Sequence, residues 1–295
     1  MKTPVANGYH SKMVVNSVSV VVAHYNRPDF VREALLSIHN QTVKPAEVLL
    51  VDDNSSPENR EKLKGLENIA TILTMPRNSG VAAARNFGAR QAKGQWLTFL
   101  DDDDLFLPDK RERQVRYLNA HPEVVALGGG LTMLRPDGRE EYWGGKPTRK
   151  LTVADALLYT ASMAQSLMIR RDVFLELGGF DVRLRYLEDY EFGIRLLASG
   201  AETHFLAEPL FIYRLGGRQQ GTFQRGKMFW SELRVLNMHA GLVRREFGPL
   251  GLIRLKARCC RKHGVRRGRL LGRSFWAWGC ALDAIFGRLR GEFDE

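Results

Sequence analysis

Four consecutive carboxylates, Asp101-Asp102-Asp103-Asp104, follow directly on the apolar run Trp96-Leu97-Thr98-Phe99-Leu100. Adjacent carboxylates repel one another at neutral pH, so such a cluster costs stability unless something positive lies among it. A divalent cation removes that cost, and Mg²⁺ or Mn²⁺ favours carboxylate oxygens together with the phosphate oxygens of a substrate. The competing reading is a solvated acidic loop, the usual fate of a charge run; the tightness with which the acids follow a hydrophobic strand speaks against it. Two more acid pairs stand out. Asp52-Asp53 closes the apolar run Val48-Leu49-Leu50-Val51, and Glu188-Asp189 opens a stretch in which Phe192, Ile194, Leu196 and Leu197 recur. Acids at a helix start are favoured by its dipole, so capping alone could account for the second pair. Several acids at strand ends, with one cluster suited to a cation, point to a phosphate-bearing substrate, with Arg85 as a positive helper.

The elements that must hold these residues alternate. Val18-Ser19-Val20-Val21-Val22-Ala23 reads as a strand buried on both faces, ended by the turn His24-Tyr25-Asn26-Arg27-Pro28. Pro28 suits the opening of a helix, and Phe30, Val31, Ala34, Leu35 and Ile38 keep helical spacing. Strands follow at 48–51, 70–74 and 96–100. The Ala-rich segment 80–91 is helical, and a fifth strand at 124–127 ends in Gly128-Gly129-Gly130. Strands alternating with helices imply right-handed crossovers and a mainly parallel sheet, with ligands at the carboxyl ends of the strands. Residues 15–130 thus read as a Rossmann-like nucleotide-binding half. Residues 131–222 are more mixed, with a strand at 165–169, a helix at 172–177, the turn Gly178-Gly179-Phe180-Asp181 and the helix opened by Glu188.

Both common phosphate cradles are missing. There is no Gly-x-x-x-x-Gly-Lys-Ser/Thr and no Gly-x-Gly-x-x-Gly after the first strand, which argues against an ATPase or a dinucleotide dehydrogenase. The 295 residues are 44% hydrophobic and 26% charged, ordinary for a soluble globular chain with a sizeable core. Residues 1–16 lack the apolar segment of a signal peptide, and no apolar run is long enough to span a bilayer. The cysteines, Cys259, Cys260 and Cys280, form no Cys-x-x-Cys pair and read as free thiols in a reducing compartment.

In chain order, Val20 to Pro28, Gln41-Thr42, Val51-Asp52-Asp53-Asn54-Ser55-Ser56, Ala84-Arg85-Asn86-Phe87-Gly88, Phe99 to Asp104, Gly178-Gly179-Phe180-Asp181 and Glu188-Asp189-Tyr190-Glu191 form a series. It resembles the inverting family 2 glycosyltransferases of GT-A fold, over about residues 17–215. The resemblance implies an α/β catalytic domain over 15–222, its second half binding an acceptor. It also implies a nucleotide diphosphate sugar donor, foremost a UDP-sugar, and Mn²⁺ or Mg²⁺. Ala23, Tyr25 and Asp53 would hold the nucleotide, Tyr25 by stacking and Asp53 by accepting a ring N–H; as plain residues, Tyr25 is a rim or core aromatic and Asp52 a turn residue. Arg85 would lie near the nucleotide, its alternative being a solvated helix arginine. Asp101 and Asp103 match the metal-binding Asp-x-Asp, with Asp102 toward the ribose or a metal-bound water and Asp104 capping the next helix. Asp189 would be the general base, with Glu188 an orienting or acceptor-binding neighbour. The chain departs at Tyr213-Arg214-Leu215-Gly216-Gly217-Arg218, where many relatives carry Tyr-Arg-x-His; Arg214 or Arg218 could neutralise phosphate instead. His24 and His204 read as ordinary histidines. Gln-x-x-Arg-Trp is absent, which favours transfer of a single sugar, to a glycan or lipid-linked acceptor in cell-surface polysaccharide synthesis.

The net charge of +11 is unevenly spread, since residues 223–295 hold 16 Lys+Arg against 6 Asp+Glu. Residues 247–282 carry nine basic residues and no acid, followed through Phe275, Trp276 and Trp278 by aromatic anchors. The segment 223–295 reads as a basic α-helical extension on an anionic membrane surface, placing the protein peripherally on the inner face of the cell membrane. A helical extension packed on the catalytic body is the plain alternative, and nucleic acid is disfavoured because no recognised module accompanies the arginines. Two other function classes fit the residues less well. A sugar-phosphate nucleotidyltransferase would need a Gly-rich basic signature after the first strand, and a non-catalytic adaptor would not need Asp103 and Asp189.

Overall fold

The computed structural model describes residues 15, 17–144, 147–158, 164–215 and 225–264. The first part of the chain alternates as expected: β1 (Val18–His24), α1 (Pro28–His39), β2 (Glu47–Asp52), α2 (Pro57–Glu61), β3 (Thr71–Thr74), α3 (Val81–Gln91) and β4 (Trp96–Asp101). There follow β5 (Leu105–Phe106), α4 (Lys110–Ala120), β6 (Ala126–Leu134), β7 (Glu140–Trp143), β8 (Arg149–Lys150), α5 (Val153–Leu158), β9 (Met168–Arg170), α6 (Arg171–Glu176), α7 (Glu188–Ala198) and β10 (Thr203–Arg214). Three helices close the described chain: α8 (Arg225–Met238), α9 (Ala240–Phe247) and α10 (Gly251–Gly264).

The strands form one sheet in the order β3-β2-β1-β4-β9-β6-β10-β5, with β7 on β6 and β8 on β10. β1, β2, β3 and β4 run parallel, as do β6 and β10, whereas β9 runs against both its neighbours, β4 and β6. Apolar side chains cover both faces. Val21, Val51 and Phe99 meet α3 and α7 on one side, while Val20, Val22, Leu50 and Leu100 meet α1 on the other. That two-sided burial is why these strands read as unbroken apolar runs. Gly88 lets α3 lie flat on the sheet: a Cβ there would come 2.4 Å from Val21 Cγ1 and 3.0 Å from Val51 Cγ2.

Two expectations are corrected, one of them at 165–169, where the strand is only β9, Met168–Arg170. The fifth strand does not end at the glycines but runs through Gly128, Gly129 and Gly130 to Leu134. A Cβ on Gly129 would meet Leu210, and one on Gly130 the Trp143 carbonyl, so these positions serve close approach of β10 and β7.

Two compact units are distinguished. The sheet and its helices make up the first. The second holds α5, with residues from 152, together with α8, α9 and α10. In it Phe229, Val235, Leu236, Val243, Leu255, Ala257 and Cys259 are buried, Lys262 Nζ lies 3.2 Å from Glu232, and Arg258 donates to the Leu158 carbonyl. The basic segment is therefore helical as far as Gly264. Arg266, Arg267, Arg269, Arg273, Phe275, Trp276, Trp278 and Cys280, like Arg218, lie outside the described residues. Among the described residues no helix is long and apolar enough to cross a membrane.

Candidate active site

Register brings three strand ends together. His24 lies opposite Asp52, and Ala23 opposite both Val51 and Asp101, so the segments leaving β1, β2 and β4 share one edge of the sheet. The turn after β1 is fixed by Asn26, whose φ of 56° is left-handed. Its N–H donates to Ser55 Oγ at 2.9 Å and its Oδ1 accepts from Ser56 N at 2.8 Å, tying the first loop to the second. Tyr25 is 46% exposed at this rim, which rules out a core role and leaves its ring open to a stacking partner.

Asp52 behaves as a turn residue, accepting from Ser55 N at 3.0 Å and from Arg60 Nε at 3.2 Å. Asp53 accepts from Ser79 N at 2.8 Å and Gly80 N at 2.7 Å, just ahead of α3. Burial raises its pKa, the two N–H groups pull it down, and neighbouring Asp52 adds to the rise. Each carboxylate oxygen keeps a second lone pair, so acceptance of a ring N–H remains chemically open.

The four acids diverge in role. Asp101 pairs with Arg85 and accepts from Gln165 Nε2 at 2.5 Å. Asp102 turns toward the β1 loop: its Oδ2 lies 3.0 Å from His24 Nδ1 and accepts from Tyr25 N at 3.2 Å, while Oδ1 accepts from Arg27 Nη1 at 3.1 Å. Arg27 Nη1 also reaches Asp103 Oδ2 at 2.7 Å. Asp104 is fully buried and accepts from the Arg214 backbone N–H at 3.1 Å. It does not cap the next helix, contrary to expectation, because α4 begins six residues later behind Asp109. Burial, then Asp101 and Asp103, push its pKa well up.

Asp101, Asp103 and Asp104 each offer an oxygen, all within 4.8 Å of one another. Three carboxylate oxygens this close could hold a hard cation such as Mg²⁺ or Mn²⁺, and Asp104 stands beside the two acids that the sequence singled out.

Facing them is the first turn of α7, entered through Leu187 with φ 64°. Asp189 is nearly buried and its Oδ1 accepts from Tyr190 N at 2.8 Å. Glu188 is buried, its Oε1 2.8 Å from Arg85 Nη1. Arg85 is thus no solvated helix arginine. Burial disfavours its charge, but Asp101, Glu188 and Asp189 outweigh it and hold the pKa above the ordinary arginine value. The same contact ought to lower Glu188, yet Glu188 is pushed up to about 7. The upward direction stands, because burial is the larger effect, and one guanidinium is shared among three carboxylates of which Asp189 and Asp101 repel Glu188.

Several site residues escaped the sequence. His24 is no ordinary histidine, being buried against Asp102, whereas His204 bonds Tyr117 and Glu202 elsewhere. Arg27 and Gln165 touch the acids directly. Tyr213, at the end of β10, has its phenol pushed up to about 12 by burial and then by Asp104, Asp103, Asp101 and Asp189. The departure from Tyr-Arg-x-His had flagged that strand end, but Arg214 is tied to the Asp103 carbonyl and Glu33.

Comparisons with known proteins bear on this arrangement. The profile of glycosyl transferase family 2 matches residues 19–178. A Haemophilus influenzae protein described as an uncharacterized glycosyltransferase is 32% identical over 204 residues, 65% of this chain and 66% of its own length. The amylovoran biosynthesis glycosyltransferase AmsE of Erwinia amylovora is 24% identical over 240 residues, 78% of this chain and 88% of its own. Among solved structures, S. aureus TarS 1–349 in complex with UDP-GlcNAc superposes with a TM-score of 0.69 at 16% identity, covering 92% of this chain and 84% of TarS 1–349. The mannosyltransferase PcManGT of Pyrobaculum calidifontis, in complex with GDP-Man and Mn²⁺, gives 0.57 at 18% identity over 95% and 84%. At such identities the structural likeness concerns the fold, a GT-A α/β architecture.

Proposed function

Since this chain belongs to glycosyl transferase family 2, we propose that it is a metal-dependent inverting hexosyltransferase acting in cell-surface polysaccharide synthesis. It would move a single sugar from a nucleotide diphosphate sugar to a glycan or lipid-linked acceptor. The observation that carries this proposal is the convergence of two acidic groups on one edge of the sheet: Asp101, Asp103 and Asp104 after β4, and Glu188 with Asp189 at the start of α7. Tyr25 and Asp53, with the backbone at Ala23, form the place for the base and ribose. UDP is the first candidate, as in the UDP-GlcNAc of the TarS complex, and GDP, as in the GDP-Man of the PcManGT complex, is the second. A divalent cation held by Asp101, Asp103 and Asp104 would neutralise charge building on the leaving diphosphate. Asp189 takes the proton of the acceptor hydroxyl while that oxygen bonds the anomeric carbon and the bond to the diphosphate breaks on the opposite side. Inversion needs this one base, unlike hydrolysis, which adds an acid to protonate the leaving group.

The basic helical unit supports a second element of the proposal, attachment to the anionic inner face of the cell membrane. Trp230 is 64% exposed on α8, on the face shared by Lys227 and Met238, and aromatic rings beside cations suit the headgroup level.

Thermal stabilisation by a panel of UDP-, GDP- and dTDP-sugars, with and without Mn²⁺, tests the donor and the metal together. The expected outcome is a shift with one nucleotide family that needs the cation. No shift with any donor in the presence of Mn²⁺ would overturn the proposal.

A further inference from the structure

Arg85 touches both the acid cluster and the helix that carries the base. We propose that it is a positioning residue, a rigid strut setting the distance between Asp101 and the first turn of α7, and not a ligand of the donor phosphates. The assignment rests on the reading of Asp189 as the base. Arg85 is 2% exposed, with Nη2 on Asp101 and Nη1 2.8 Å from Glu188 Oε1, while the Phe180 ring lies 5.4 Å from its guanidinium carbon. Two nitrogens of one plane therefore grip carboxylates from two elements, 16 and 103 residues away along the chain.

The base of the strut is itself held. Asn86, the next residue, both donates to the Phe180 carbonyl at 2.7 Å and accepts from its N–H at 2.9 Å. Gly88, one turn on, seats α3 against Val21 and Val51. Arg195 locks the same region from α7, with Nη1 2.5 Å from the Leu177 carbonyl and Nη2 2.6 Å from that of Gly179. A planar fork holds its two partners at a fixed spacing and angle, whereas an ammonium is a point donor on a flexible stem. Asp189 follows Glu188 directly, so a shift of Glu188 moves the base, and a misplacement of about 1 Å can cost about 10²-fold in rate.

Arg85→Lys, which keeps the charge, separates a strut from a phosphate ligand. The readouts are affinity for UDP and GDP with Mn²⁺, amide exchange in the first turn of α7, where Glu191 N–H bonds the Leu187 carbonyl, and the split between kcat and donor KM. The expected result is nucleotide affinity within about threefold of wild type, exchange in that turn faster by about tenfold or more, and kcat lowered by a similar factor at unchanged donor KM. Glu188→Met should reproduce this pattern, and the double variant should be no worse than either single one, as residues acting as a unit are not additive. Should Arg85→Lys fail to fold, Glu188→Met carries the exchange and kcat readouts alone. Nucleotide affinity lowered more than tenfold by Arg85→Lys with α7 exchange unchanged would overturn the strut. Independent, additive effects of the two substitutions would overturn it as well. A wild-type chain that binds no nucleotide sinks the glycosyltransferase assignment instead, and the exchange readout still judges the strut.

Discussion

Asp103 meets the Arg27 guanidinium at 2.7 Å, so one positive charge already lies against the acids, but a single guanidinium is a weak substitute for a divalent ion among three carboxylates. Asp103→Ala is expected to abolish the Mn²⁺-dependent part of nucleotide stabilisation while leaving the nucleotide-free melting temperature near that of wild type, as calorimetry will read. Asp189→Asn should keep donor affinity and lose about 10²–10⁴-fold in kcat, measured as product release, because the base acts on the acceptor only in the transition state. Outside the site, Lys110 is fully buried between Thr98 Oγ1 at 2.9 Å, Gln114 Oε1 at 2.7 Å and the Phe106 ring, with no carboxylate among these partners. Burial lowers its pKa to about 7, far below its unfolded value. Between pH 7 and the unfolded value the unfolded chain binds the extra proton, so this group makes stability rise with pH there, by up to about 1.4 kcal/mol per unit. Lys110→Met should flatten that slope in denaturant titrations at successive pH values. The acids were legible in one dimension because they are contiguous. His24, Arg27, Gln165 and Tyr213 were not, since each meets the cluster only across 64 or more residues of chain.

Among the elements, α3 makes the most pointed test of packing. A glycine-to-alanine change inside a helix ordinarily gains about 1 kcal/mol, but Gly88→Ala places a methyl 2.4 Å from Val21 on a central strand. Overpacking of that kind costs about 1–3 kcal/mol, so the melting temperature should fall and not rise, by several degrees on a thermal scan. Periodicity located β1, β2, β4, α1 and α3 to within a residue or two, because two-sided burial leaves an unbroken apolar trace. It failed at Gly128 to Gly130, where composition suggests a turn and close approach of neighbouring strands demands glycine instead. It also overextended β9, which is only three residues long, because Gln165 and Ser166 precede it in a turn and Gln165 is drawn off to Asp101.

Over the whole molecule, charge is the feature that composition displayed most directly, with the excess of 16 basic over 6 acidic residues confined to the last 73 positions. The full chain should pellet with anionic vesicles at low salt and be released at high salt, since attraction to a charged surface is screened by ions. Trp230→Ser should weaken pelleting without altering nucleotide binding; equal pelleting with neutral vesicles at high salt would count against an electrostatic attachment. The long reach of the site contacts has a consequence in time. Asp104 waits 110 residues for the Arg214 backbone, and Arg85 waits 103 for Glu188. As the chain leaves the ribosome, Arg27 and Arg85 are already at hand for Asp101, Asp102 and Asp103, whereas Asp104 meets the Arg214 backbone only once β10 has emerged. The centre is thus completed late in synthesis, and a product truncated ahead of Arg214 leaves Asp104 without its backbone partner.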